Sequence, residues 1–247
     1  MRGLSGCPGK IKENSRYDCR LLGVQRCGWE EEICFMCPDL LEMMEENPLL
    51  KKAVDYAFTA HSGQFRKGTQ IPYMIHLFRT WFYVRQMTED REEWAAAILH
   101  DTLEDTAVTY GELKEKFGER IAGLVRGESE EKRADRPPEA TWQLRKSETI
   151  QRLRQWAGEE GRTAQMHIAL GDKLANLYSM MFEYRYAGEH LWNKFNQKEK
   201  EKHAWYYGEM GRVFSSFFCE GREKLLTEEY WTYYKEVFGG YEISGAR

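Results

Sequence analysis

The chain has 247 residues, of which 42% are hydrophobic and 31% are charged, and its formal net charge is −4. This composition fits a soluble globular protein and argues against non-specific nucleic-acid binding as the main activity. No apolar run approaches the roughly 18 residues that a membrane span needs, and the N-terminus lacks the apolar core of a signal peptide. We therefore expect a cytoplasmic protein with no membrane or nucleic-acid partner.

The first 46 residues have an unusual cysteine content and no clear helical or strand period. Five of the six cysteines lie there, at positions 7, 19, 27, 34 and 37. Cys34 and Cys37 form a C-x-x-C pair, which is typical of half a zinc site or of a redox pair, but no second pair completes it. We expect residues 1–46 to be a poorly ordered extension. Three methionines, Met36, Met43 and Met44, leave a later start site open.

The ordered part is predicted to begin at Asn47, because Asn47-Pro48 is typical of a helix cap followed by proline in the first turn. The glycines and proline of residues 62–72 predict a loop. Two further helices are expected over residues 73–87 and 91–104, where apolar residues recur at helical spacing.

Helical signals continue through the rest of the chain. Thr109 and Glu112 have the spacing of a capping box, and Gly118 is a plausible helix terminator. Further helices are predicted over residues 119–125, 141–157 and 162–186, with Thr141 as a cap and a charged loop over 127–140. The remainder, to about residue 238, is helical in character and rich in aromatic residues. Because no β-alternation or internal repeat is present, we predict an all-α fold.

The run from Ile98 to Thr106 carries the strongest chemical signal. His100-Asp101 is followed one helical turn later by Glu104-Asp105, and on a helix these four side chains fall within roughly 140° of arc. No lysine or arginine lies among the three carboxylates and the imidazole. Such crowding is unfavourable unless a cation sits there, so the pattern indicates a metal site.

A second predicted helix and an earlier histidine extend this set. Asp172, Asn176, Ser179 and Glu183 share one face of the helix over 162–186, opposite a row of leucines. Together with His76, the His-Asp pair and Asp172 supply two imidazoles and two carboxylates. This mixture of nitrogen and oxygen donors suits Mn²⁺, Fe²⁺ or Zn²⁺. Glu104 and Asp105 would then hold or deprotonate a water molecule.

Arg66 and Lys67 lie beside flexible glycines in the loop over residues 62–72. Two cations there can neutralise phosphate, and the arginine can also stack on a base. A solvated basic turn explains the same residues equally well. Arg145, Lys146 and Lys173 are further candidate cations.

In this order, these residues resemble the HD-domain superfamily of metal-dependent phosphohydrolases. More narrowly, they resemble the ppGpp hydrolase domain shared by bifunctional alarmone enzymes and small alarmone hydrolases. The similar blocks are residues 61–68 (HSGQFRKG), 71–76 (IPYMIH), 99–106 (LHDTLEDT), 117–118 (FG), 129–132 (SEEK) with 142–146 (WQLRK), and 171–177 (GDKLANL).

The resemblance implies an HD-domain helical bundle over residues 47–214, with a C-terminal helical extension, residues 215–247, packed on it. That extension is too short for a nucleotidyltransferase, so a stand-alone hydrolase is expected. The resemblance also implies one Mn²⁺ bound by the four residues His76, His100, Asp101 and Asp172.

In the same resemblance, Glu104 and Asp105 position and activate the attacking water. Arg66 packs on guanine, with Lys67, Lys173 and Asn176 near the ribose and phosphates, and Arg145 and Lys146 as additional substrate-binding candidates. The implied reaction hydrolyses the 3′-pyrophosphate of ppGpp or pppGpp, a small guanine nucleotide, to GDP or GTP plus pyrophosphate.

The chain departs from the family pattern at three places. Leu77 replaces a proline, Ala169-Leu170-Gly171 replaces Lys-Leu-Ala, and Phe65 stands where a polar residue is common. The lost lysine leaves two alternatives open. One is an HD phosphohydrolase that acts on another phosphorylated nucleotide or cofactor, and the other is a nucleotide sensor without turnover.

Overall fold

The computed structural model describes residues 42–239 except 132 and 134, and the regular secondary structure of this part of the chain is helical. Residues 42–46 are helical and precede α1 (Pro48–Ala60), α2 (Met74–Met87), α3 (Arg91–Leu99), α4 (Thr102–Asp105), α5 (Tyr110–Phe117), α6 (Glu119–Glu128), α7 (Pro138–Ala157), α8 (Thr163–Ala187), a 3₁₀ helix (Gly188–Lys194), α9 (Lys200–Phe217) and α10 (Gly221–Phe238). Among the described residues, strand pairing is limited to an isolated bridge between Phe65 and Pro72. The predicted all-α fold is confirmed.

Local sequence signals set several helix ends as predicted. The Asn47 side-chain oxygen accepts hydrogen bonds from the backbone N–H groups of Leu49 and Leu50, both at 3.1 Å, and so caps α1. Thr109 and Glu112 form the expected capping box at the start of α5. Gly118 ends α5 with φ +87°, a backbone conformation that glycine adopts without steric cost.

The helix predicted over residues 91–104 is interrupted, so this prediction is wrong. α3 ends at Leu99, and His100 and Asp101 form a turn before the short α4. The Thr102 hydroxyl donates to the Leu99 carbonyl at 2.6 Å, and His100 Nδ1 lies 2.8 Å from the Ala97 carbonyl oxygen. These two side chains bond to backbone carbonyls that would otherwise accept hydrogen bonds from the next turn of the helix.

Two other predicted boundaries move. α6 continues to Glu128, and α7 begins at Pro138, not at Thr141, so the loop between them is confined to residues 129–137. Proline in the first turn needs no backbone donor and has a suitable φ, which explains the earlier start. Thr141 does not cap α7; its hydroxyl donates to the Pro138 carbonyl within the first turn.

Two apolar clusters meet at α8. One is built mainly from α1, α2, α3, α5 and α6, and the other mainly from α7, α8, the 3₁₀ helix, α9 and α10. Gly171 lets α8 approach α2 closely, because a Cβ at this position would lie 2.8 Å from Val84 Cγ2 and 3.1 Å from the Thr80 carbonyl oxygen. This close packing brings His76 on α2 and Asp172 on α8 to the same site.

The predicted domain boundaries near the two ends of the chain can be compared with the structure. Residues 1–41, with the C-x-x-C pair, lie outside the described residues, whereas residues 42–46 are helical and Met44 is buried, contrary to a poorly ordered extension up to 46. α9 crosses the predicted boundary at 214 and 215, and α10 packs on α8 and α9. The boundary stays a prediction. Within the described residues, no helix is both long and apolar enough to cross a membrane.

Candidate metal centre and substrate clefts

Four side chains from three parts of the fold converge on one point. His76 comes from α2, His100 and Asp101 from the turn between α3 and α4, and Asp172 from α8. The Nε2 atoms of the two histidines lie 3.2 Å apart. Asp101 Oδ2 is 3.3 Å from Nε2 of His76 and 3.1 Å from Nε2 of His100. The corresponding distances from Asp172 Oδ1 are 3.1 and 3.6 Å.

The hydrogen bonding of the imidazoles prepares their Nε2 atoms to bind a cation. His100 Nδ1 faces the Ala97 carbonyl oxygen, so this nitrogen carries a proton, and the lone pair of Nε2 is the one that a cation would use once it displaces the second proton. His76 Nδ1 is buried and has no hydrogen-bond partner among the described residues. Two imidazole nitrogens and two carboxylate oxygens directed at one point fit a divalent metal ion.

Without a cation, the centre relies on pairing between its own charges. Burial alone would lower the pKa of His100, but Asp101 and Asp172 outweigh it and hold that pKa well above its usual value. Burial alone would raise the pKa of Asp172, but Lys173 and the two histidines outweigh this effect and hold the pKa well below its usual range. Burial would also raise the pKa of Asp101, but His100 and His76 outweigh it and hold that pKa well below its usual range. Both carboxylates are therefore available as anionic ligands.

Glu104 and Asp105 flank this centre from α4. Burial, with Asp101 and Glu130 nearby, raises the pKa of Glu104 to about 7. Its Oε2 accepts a hydrogen bond from the Glu130 backbone N–H at 3.2 Å, which fixes the side chain. A carboxyl group with a pKa near neutrality can take and return a proton under ordinary conditions.

Tyr73 links the centre to Asp105 and was not singled out from the sequence. Its hydroxyl lies 2.7 Å from Asp101 Oδ2 and 2.7 Å from Asp105 Oδ2, so one proton is shared between two carboxylates. Burial raises the pKa of Tyr73, which keeps the hydroxyl protonated. The sequence feature that could have identified Tyr73 is its position three residues before His76, which puts the two side chains on the same side of the helix start.

A chain of polar contacts runs from Asp172 to the basic loop. Lys173 pairs with Asp172 Oδ2, and this pairing outweighs burial and holds the pKa of Lys173 well above its usual value. Asn176 donates to Asp172 Oδ1 at 2.6 Å and accepts from Arg66 at 2.7 Å. The Arg66 guanidinium also lies over the Tyr73 ring, 5.4 Å from its centroid. Three of the predicted substrate-binding residues thus adjoin the metal centre.

The other predicted cations are placed differently. Arg145 and Lys146 both contact Glu130, at 2.9 and 2.8 Å. Burial would raise the pKa of Glu130, but Lys146 outweighs it and lowers the pKa to about 2. Lys146 lines the cleft above the metal centre, whereas Arg145 is not among its lining residues. Lys67 lies further out and donates to Asn196 Oδ1 at 2.6 Å.

Two adjoining clefts open at the site. The polar cleft, about 160 Å³, covers the metal centre and is lined by the four converging residues and by Glu104, Glu128, Glu130, Lys146, Thr149 and Lys173. The apolar cleft, about 260 Å³, is lined by Phe65, Lys67, Ser179, Met180, Glu183, Lys194, Phe195 and Tyr207. The two clefts share Arg66, Tyr73, Asp105 and Asn176. Together they have the size and the mixed lining of a site for a phosphorylated small molecule.

Glu128 is a second site residue that the sequence did not indicate. Its Oε1 is buried without a hydrogen-bond partner among the described residues, and burial raises the pKa of Glu128 to about 7. It lies at the end of α6, in a charged stretch whose pattern resembles an exposed loop. No sequence signal distinguishes it from its exposed neighbours.

The family model of the HD domain matches residues 53–191, which is more than half of the chain. The chain belongs to the HD domain family. This matched segment contains all four converging residues, and the HD domain is a metal-dependent hydrolase fold. The resemblance inferred from the sequence is therefore confirmed.

Several curated relatives are similar over shorter stretches. The guanosine-3′,5′-bis(diphosphate) 3′-pyrophosphohydrolase of Aquifex aeolicus (strain VF5) is 46% identical over 78 residues, 32% of this chain and 11% of that protein. The bifunctional (p)ppGpp synthase/hydrolase SpoT of Escherichia coli (strain K12) is 39% identical over 80 residues, with the same two shares. The match thus spans about a tenth of the length of each of these relatives.

Solved structures share the fold over more of the chain. A crystal structure of a Listeria monocytogenes EGD-e protein has a TM-score of 0.55 at 25% identity, covering 70% of this chain and 99% of that one. A metazoan orthologue of SpoT that hydrolyses ppGpp has a TM-score of 0.56 at 23% identity, covering 74% and 94%. The second likeness shows the fold alone.

Proposed function

We propose that this protein is a metal-dependent hydrolase that removes the 3′-pyrophosphate of ppGpp or pppGpp, giving GDP or GTP plus pyrophosphate. The observation that carries the proposal is the convergence of two imidazoles and two carboxylates beside Glu104, at the base of a cleft that leads to Arg66. The names of the Aquifex aeolicus and Escherichia coli relatives support the same substrate.

His76, His100, Asp101 and Asp172 would hold one divalent cation. We favour Mn²⁺, with Fe²⁺ and Zn²⁺ as alternatives that accept the same donors. When bound, the ion supplies polarisation of a phosphoryl oxygen and a lowered pKa for a water molecule. The buried imidazoles and the Ala97 carbonyl keep the ligand nitrogens aligned.

Glu104 is the proposed proton acceptor. Its carboxyl is held by the Glu130 backbone N–H and has a pKa near neutrality, so it can take the proton of the attacking water. Asp105 is proposed to orient that water. Its carboxylate accepts the Tyr73 hydroxyl proton, which fixes the direction of its remaining lone pairs.

Lys173, Asn176, Arg66 and Lys67 are proposed to bind the nucleotide. Their positive charge and donors, arranged from Asp172 outward, would offset the charge that develops on the leaving pyrophosphate. Lys146 can add a contact at the rim of the polar cleft. The substrate partner is then a small guanine nucleotide, and we place the protein in the cytoplasm.

A second candidate function keeps the site and changes the substrate. Glu128 and Glu130 line the polar cleft, and this acidity, with Ala169 where the family has a lysine, is less favourable for a highly charged substrate. Another phosphorylated nucleotide or cofactor would fit these residues. A sensor without turnover is less well supported, because binding alone does not need Glu104 beside the metal ligands.

The test incubates the purified full chain with ppGpp and with each of Mn²⁺, Fe²⁺ and Zn²⁺, and measures pyrophosphate and GDP. Release of both products supports the proposal, and absence of release with every metal contradicts the substrate. A panel of other 3′-phosphorylated nucleotides at equal enzyme concentration tests the second candidate. Tight nucleotide binding without any product would favour the sensor.

A further inference from the structure

The polar face of α8 extends beyond the residues that the proposed reaction uses. Asp172 and Asn176 belong to the metal centre and its neighbours, and Ser179 and Glu183 continue the same face. At about 1.5 Å of rise per residue, Glu183 lies about 16 Å further along the helix than Asp172. This polar face therefore leads from the polar cleft into the apolar cleft.

Glu183 forms an ion pair with Lys194 in the wall of the apolar cleft. Lys194 Nζ lies 2.5 Å from Glu183 Oε2, and the two side chains are only 17% and 20% exposed. Lys194 ends the 3₁₀ helix, three residues beyond the segment that matches the HD family model. Glu183 lies inside the matched segment, so the pair joins a residue of the HD domain to one from the continuation that follows it.

The pair is fixed against the basic loop. Gly68 packs on Lys194 so closely that a Cβ on the glycine would lie 2.9 Å from Lys194 Cβ. Burial lowers the pKa of Lys194, and Arg66 and Lys67 lower it further, while Glu183 acts in the opposite direction. A carboxylate and an ammonium group therefore stand side by side in a cleft that is otherwise lined largely by Phe65, Phe195 and other apolar groups.

This arrangement matches the edge of one purine. Guanine presents an acceptor, O6, next to two donors, N1–H and the N2 amino group, whereas adenine presents a donor, N6, next to an acceptor, N1. An ionised carboxylate has about four acceptor sites on its two oxygens, so Glu183 can keep its contact with Lys194 and accept two further hydrogen bonds, and an ammonium group donates three. Guanine can thus satisfy both groups, while adenine would place N1 against the carboxylate.

Building on the proposed function, we propose that Glu183 and Lys194 read the base of the nucleotide. Glu183 accepts from N1–H and N2 of guanine, and Lys194 donates to O6 while it keeps its contact with Glu183. Arg66 and Tyr73, which are shared by both clefts, would lie between the base and the metal centre. These two residues then determine specificity and take no part in the chemical step.

Binding of GDP, IDP and ADP to the full chain with Mn²⁺, measured by titration calorimetry, tests the proposal. Hydrogen bonds to a charged partner predict a preference for GDP over ADP of about tenfold or more, with IDP, which lacks the N2 group, in between. Glu183→Gln should bring the GDP and ADP affinities to within about threefold. Glu189→Gln is the control, because Glu189 holds the same 3₁₀ helix through Trp192 and Lys200 but does not line the cleft.

Equal binding of GDP and ADP by the unaltered protein would overturn the proposal, as would no detectable binding of GDP. So would an unchanged preference in Glu183→Gln, or an equal loss of both affinities, which is the result of a purely structural ion pair. Turnover of ppGpp is measured separately. If turnover fails while the GDP preference depends on Glu183, the reaction is wrong and the base-reading pair stands.

Discussion

Replacing Glu104 by glutamine is expected to stabilise the metal-free protein while it abolishes most of the activity. The substitution removes the charge but keeps an oxygen that can accept the Glu130 backbone N–H. Turnover should fall about 10²–10⁴-fold, the usual contribution of a general base. The same buried carboxylate is therefore unfavourable for the fold and necessary for the reaction.

The size of the stability effect follows from the pKa of Glu104. Burial and the neighbouring carboxylates raise it from 4.5 to about 7, which corresponds to about 3 kcal/mol at about 1.4 kcal/mol per pKa unit. Between these pH values the folded state binds more protons than the unfolded state, so the free energy of unfolding decreases as pH rises. The variant has no such group. The free energy of unfolding of the variant should exceed that of the unaltered protein by about 3 kcal/mol at pH 8, and the difference should vanish below pH 4.5.

Urea unfolding of the two proteins in EDTA, at pH 5 and pH 8, measures this difference. Glu115→Gln is a suitable control, since Glu115 is exposed on α5. Added Mn²⁺ should reduce the gap, because a cation beside Glu104 offsets the unfavourable charge. Turnover of ppGpp by the same preparations is measured in parallel.

Two results would refute the reasoning. A gain that is equal at pH 5 and pH 8, or no gain at either, would mean that ionisation of Glu104 does not oppose folding. Full turnover by Glu104→Gln would remove its assignment as the proton acceptor, whatever its effect on stability.

Three further predictions concern other parts of the site. Asp172→Asn should abolish turnover and lower bound metal by at least tenfold, as measured by elemental analysis; unchanged metal content would exclude Asp172 as a ligand. Gly171→Ala should lower the free energy of unfolding by about 1–3 kcal/mol, because its Cβ would lie 2.8 Å from Val84 Cγ2; thermal unfolding that matches the unaltered protein would contradict the close packing of α2 on α8. Lys146→Ala should lower the free energy of unfolding by about 1–3 kcal/mol at pH 7, since Glu130 loses one of its two cationic partners and keeps only Arg145. Lys146→Arg is the control and should lose less in urea unfolding; equal losses in the two variants would mean that the charge on residue 146 does not matter.

Much of the local structure was predictable because it depends on neighbours in the sequence. Asn47 caps the residues directly after it, and Thr109 and Glu112 bond to each other across three residues. The break after Leu99 was not predictable from helical periodicity. It depends on which carbonyls the His100 and Thr102 side chains select, and periodicity carries no information on that choice.

The candidate site, like the fold, was predictable from the sequence only in part. The residue types and spacing of His100-Asp101 and Glu104-Asp105, with His76 and Asp172 elsewhere, were sufficient to indicate a metal site, and the resemblance to the HD-domain superfamily added the expectation of a metal-dependent phosphohydrolase. The pairing of Lys146 with Glu130 and of Glu183 with Lys194 joins residues 16 and 11 positions apart, from different elements. Sequence spacing cannot indicate such contacts, because they arise only when helices pack.

The sequence by itself determined which groups are available for chemistry, because donor atoms and formal charges belong to the side chains. Only the tertiary structure decided what those groups can do, because burial and neighbouring charges set their protonation. Glu104, Glu128 and Glu130 are identical in sequence terms, yet burial raises the pKa of the first two to about 7 while Lys146 lowers that of Glu130 to about 2. One carboxyl is thereby suited to proton transfer and another to holding the rim of the cleft.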